Sequence, residues 1–137
     1  MKTLLTIFAL LLATSASAQS REKQEMALKE YLPYVGEPVN RFQFWDLKRW
    51  EVVGEYKVVV WPRLNEAYLL TVDPPCSDLE WTQSIGVSSN AHVVSKNFDS
   101  VMVGIDTKRK CRINEIQPID YKKYLADRKQ AKDAEKS

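Results

Sequence analysis

The sequence predicts a mainly β domain. It is a small antiparallel β-sandwich or barrel of about six short strands, with a helix at each end and one disulfide. Three observations carry this. β-Branched and aromatic residues gather in short runs, most clearly Tyr-Lys-Val-Val-Val-Trp at 56–61. Turn-forming residues separate those runs at short spacing. Two cysteines, Cys76 and Cys111, lie within the same region.

Residues 1–18 read as a cleaved secretory signal peptide. Lys2 is the positive start, an apolar run follows, and Ala16-Ser17-Ala18 supplies small residues for cleavage after Ala18. The apolar run is about 10 residues, and a membrane-spanning helix needs about 20. No transmembrane anchor is expected after cleavage. Export, to a periplasm or to the medium, places the cysteines in an oxidising compartment. A Cys76–Cys111 disulfide is the expectation, contributing about 4 kcal/mol by chain entropy. Redox or nucleophilic chemistry is the alternative, but Cys-x-x-Cys is absent.

Residues 19–38 form an N-terminal helical segment. Ser20 is its expected N-cap, Leu28, Tyr31 and Leu32 its apolar face, and Pro33 and Gly36 its stop. The wholly polar early turns are expected to fray. The β domain spans 39–118. Phe42 and Phe44 alternate with Arg41, Gln43 and Trp45, giving a strand with aromatics on both sides. Residues 50–53 make a second short strand. Strands at 56–61 and 66–72 form a hairpin around the loop 62–65. Leu79, Thr82 and Gln83 fit a helical turn started by Ser77 or Asp78. Residues 86–95 read as a loop and a short strand. Val101, Val103 and Ile105 share one strand face, and 106–110 make a charged turn. In the last strand Cys111, Ile113 and Glu115 alternate with Arg112, Asn114 and Ile116. The closing segment, 119–137, begins a helix capped by Asp120, with Tyr121, Tyr124 and Leu125 as its apolar patch. Nothing large and apolar follows Ala126, so a solvated or disordered tail is expected.

Several runs resemble a family when taken in order. They are Val59-Val60-Trp61, residues 65–70 (Asn-Glu-Ala-Tyr-Leu-Leu), Pro75-Cys76 with Leu79, Ile85-Gly86, Phe98-Asp99-Ser100-Val101 and residues 111–120. Together they resemble a bacterial domain-of-unknown-function family, family 6491, of small exported proteins and lipoproteins. The resemblance implies an exported, mainly β domain with paired cysteines, and no activity. A lipoprotein needs an anchoring cysteine at the cleavage point; this chain has none there, so a soluble form is expected.

Charge is nearly balanced, at +2 from 20 Lys+Arg and 18 Asp+Glu. That gives no case for a nucleic-acid partner. With one His and two Cys, neither a metal site nor a cofactor site is read. His92, with Ser88, Ser89, Ser95 and Asp99 nearby, lacks a nucleophile elbow and reads as a strand histidine. Glu66, Asp99, Glu115 and Asp120 offer carboxylate chemistry. Each also has a structural reading: Asp120 as a cap, Asp99 accepting backbone bonds, Glu115 pairing with Arg112 or Arg41. Lys108, Arg109, Lys110 and Arg112 form the densest basic cluster, read as a solvated turn.

The aromatics carry the leading expectation. Alternation in 56–61 puts Tyr56, Val58 and Val60 on one face and Lys57, Val59 and Trp61 on the other. Trp45, Trp61 and Trp81 then form a candidate binding patch outside the core. The expected function is a non-enzymatic module binding an envelope protein, peptide or glycan. The alternatives are a small carboxylate-dependent hydrolase of envelope glycan and an inhibitor of a secreted enzyme, presenting loop 62–65 or 77–81.

Overall fold

The computed structural model describes residues 15–104 and 109–136, with side chains from residue 20 onward. The core of the signal peptide expected over 1–18 therefore lies outside the described residues. So do Ile105 and most of the charged turn expected after it.

Strands form where the β-branched and aromatic runs lie. They are β1 (Arg41–Gln43), β2 (Arg49–Gly54), β3 (Lys57–Arg63), β4 (Glu66–Val72), β5 (Ile85–Val87), β6 (Val93–Ser95), β7 (Ser100–Val103) and β8 (Arg109–Ile119). Helix α1 is Ser15–Tyr31 and α2 is Tyr121–Glu135. Six strands build one antiparallel sheet in the order β2-β3-β4-β8-β7-β5, curled as a half-barrel. β1 and β6 make a separate antiparallel ribbon. Among the described residues there are eight strands; the one the sequence reads as loop is β5, only three residues long.

The sheet is covered on both sides. On one side Val58, Val60, Leu70, Ile113 and Ile116 pack with Phe42, Phe44 and Val94 of the ribbon region. Cys76 and Cys111 are joined there, with Cα atoms 5.7 Å apart and a sequence separation of 35. On the other side Val53, Val59, Trp61, Ala67, Leu69 and Ile119 pack under Tyr31 of α1 and Tyr121 and Tyr124 of α2. The helices supply a second core because α1 presents Ala27, Leu28 and Tyr31 at helical spacing to the sheet and α2 presents Tyr121 and Tyr124.

Several expectations are corrected. Ser20 lies inside α1, not at its N-cap. The polar start of α1 is tied down: Arg21 donates to Glu80 at 2.9 Å, and the Gln24 side chain donates to the Glu80 carbonyl at 2.9 Å. Leu32 is exposed, since a 3₁₀ turn follows α1 and rotates it off the apolar face. Pro62 stays within β3 and is buried at a bulge, so the β3–β4 turn is tighter than four residues. The alternation in β8 breaks at Asn114. Thr71 pairs with Glu115 and Val72 with Ile113, so Asn114 is the extra residue and Ile113 and Ile116 share a core. The tail is helical through Glu135, though exposed. Asp120 does cap α2, accepting from the Lys123 N–H at 3.2 Å.

Candidate functional site

The three tryptophans of the expected patch are not brought together. Trp61 is a correction: it is 1% exposed and belongs to the core under the helices. Alternation does turn it away from Val58 and Val60, but that face meets Tyr31 and Tyr121 rather than solvent. Its indole N–H is buried and has no hydrogen-bond partner. Trp81 is exposed on a 3₁₀ turn (Leu79–Trp81), with the Arg21 guanidinium 5.8 Å from its ring. Leu79, in the same turn, is fully buried.

Trp45 is 64% exposed; Phe98 at 71% and Trp81 at 47% are the other large exposed aromatics among the described residues. Trp45 follows β1, where Phe42 and Phe44 point into the core and Arg41, Gln43 and Trp45 point out. Its ring stacks on His92, centroids 3.8 Å apart. His92 sits in a two-residue turn closed by paired bonds between Asn90 and Val93, at 2.9 and 3.0 Å. Both turn residues are left-handed, Ala91 at φ 51° and His92 at φ 61°. Such turns favour Asn and Gly; a side chain with φ > 0 costs about 1–2 kcal/mol per residue. The turn therefore holds His92 against Trp45 at a backbone cost. The backbone also joins the two segments, since Phe44 N–H donates to the His92 carbonyl at 2.8 Å.

Of the candidate carboxylates, Asp99, Glu66 and Asp120 have structural partners. Asp99 is 4% exposed and accepts from Ser88 Oγ at 2.9 Å and from the Ser95 N–H at 2.8 Å. Glu66 accepts from the Tyr68 hydroxyl, whose pKa is pushed up by burial and then by that bond. Arg112 pairs with Asp73 at 2.8 Å rather than with Glu115. Asp73 is held below the usual carboxylate range by the Asn114 hydrogen bond and then by Arg112. Arg109, from the basic cluster, pairs with Asp78.

One feature of the helix side has no sequence motif. A cleft of about 460 Å³ opens between α1, α2 and β2. Tyr31, Tyr121 and Tyr124 bound it with Arg49 and Arg128. Tyr31 donates to Glu51 at 2.7 Å, and burial followed by that bond raises its pKa. Arg128 donates to the Tyr124 hydroxyl at 2.6 Å and to Glu30 at 2.9 Å. The signal available in sequence was the tyrosine spacing itself, which reads equally as core.

The fold and these surfaces define a small, disulfide-linked, mainly β domain with two helices on one sheet face. The chain belongs to the family of unknown function DUF6491, whose model matches residues 1–136. No curated protein and no solved structure matches it. Among the described residues no helix is long and apolar enough to cross a membrane.

Proposed function

We propose that this chain is an exported, non-enzymatic binding module of the cell envelope. It takes hold of an envelope protein, peptide or glycan through the Trp45–His92 platform. The observation that carries this reading is a largely exposed indole stacked on an imidazole that a strained turn holds in place. Strain maintained at an exposed aromatic favours function over packing. The bonding of Asp99 and Glu66 to neighbouring groups favours binding over carboxylate hydrolysis.

The test is native mass spectrometry of protein purified from its host, alongside Trp45→Ala. The reading expects a chain beginning at Gln19 with a bound partner, and loss of that partner in Trp45→Ala at unchanged melting temperature. Retention of the partner by Trp45→Ala rejects the platform. A chain still carrying Met1 rejects export.

A further inference from the structure

We propose that the cleft between α1, α2 and β2 is a separate binding site for a small, hydroxylated organic anion carrying a phosphate or a carboxylate. It lies on the helix side of the sheet, whereas Trp45 adjoins the ribbon side. The proposal therefore stands independently of the platform.

The charge around the cleft is unbalanced. Arg49, Arg128, Lys129 and Lys132 face it against Glu30 and Glu51. Both carboxylates are already engaged, Glu30 by Arg128 and Glu51 by the Tyr31 hydroxyl. Lys129 and Lys132 have no ion-pair partner among the described residues.

Arg49 is the positioned group. Its guanidinium carbon lies 4.5 Å from the centre of the Trp61 ring, which fixes the plane of the fork. Its polar contacts are long: 3.4 Å from Nη1 to the Tyr121 hydroxyl, and 3.9 Å from Nη2 to Glu51. A stacked guanidinium with under-used donors is pre-organised for a bidentate oxyanion. Arg128 is likewise oriented, 5.3 Å from the centre of the Tyr124 ring.

Size and polarity set the rest of the ligand. About 460 Å³ exceeds the need of a lone oxyanion and falls in the range of about 300–1,000 Å³ typical of small-molecule sites. The tyrosine rings are buried against one another, so their hydroxyls and edges, not their faces, meet the ligand. That suits a hydroxylated body rather than an apolar one.

The experiment is NMR titration of the full chain with glucose 6-phosphate, glucuronate, glucose and inorganic phosphate at low salt. At least one charged sugar is expected to bind about tenfold more tightly than glucose and inorganic phosphate, with shifts at Arg49, Tyr121 and Arg128. Which charged sugar binds better distinguishes phosphate from carboxylate. The double variant Lys129→Glu/Lys132→Glu, on an exposed helix face, should weaken that binding about tenfold with the fold intact. Trp45→Ala should leave it unchanged. The proposal is overturned if neither charged sugar binds, if glucose or inorganic phosphate binds as well, or if the double variant binds like the parent. Loss of binding in Trp45→Ala moves the ligand to the platform and also overturns it.

Discussion

Arg49 and Trp61 are cross-strand partners, paired in register between β2 and β3, and the guanidinium of one covers the indole of the other. The pair closes the helix-side core beneath Tyr121. Trp61→Ala is expected to cost about 3–5 kcal/mol, because a fully buried ring leaves a cavity. Trp61→Phe should cost much less, since the indole N–H has no partner to lose. Urea midpoints of both variants, taken with the disulfide intact, check this. Equal losses would mean that the N–H has an acceptor.

Reduction of Cys76–Cys111 should lower stability by about 2–4 kcal/mol. The bridge ties the start of β8 to the segment after β4, within the ribbon-side core. Urea unfolding with and without reductant gives the number. No change would show that contacts within the closed loop already hold the reduced chain together.

Asp99→Ala should destabilise by about 1–3 kcal/mol, because the Ser95 N–H and the Ser88 hydroxyl lose their acceptor in a buried site. Asp99→Asn retains one acceptor oxygen and should lose less. Thermal melts rank the two; the opposite order would reject the acceptor role.

Tyr31 sets an alkaline limit. Its folded pKa lies above the unfolded value of about 10, first through burial and then through Glu51. A raised pKa contributes stability that is complete below pH of about 10 and is lost as pH rises toward the folded value. The fall of the urea midpoint above pH of about 10 should therefore be shallower in Tyr31→Phe. An unchanged slope would place the effect on another group.

The sequence was most legible where pattern and packing agree. β4 was found over its whole length, and Val101 and Val103 face the core as their alternation predicts. The Asp120 cap agrees with its residue type, and the two cysteines are paired as expected. Trp61 departs from its expected exposure because alternation reports which face a residue is on, not what covers that face. The covering tyrosines come from both ends of the chain. The Ala91–His92 turn was hidden because neither residue advertises a positive φ. The bulge at Asn114 was hidden because it depends on β4 across the sheet. The cleft around Arg49 joins residues from β2 and two helices, and no local spacing encodes it.

Strand β8 lies between β4 and β7, near the middle of the sheet. Ala67 finds its partner only at Ile119. Until synthesis has passed residue 119, β4 remains an unpaired edge bearing Leu69 and Leu70. A product that stops between β4 and β8 thus exposes an apolar strand suited to pairing with another chain. The pairing of β8 with β4 is the moment at which this protein first becomes safe from its own sheet.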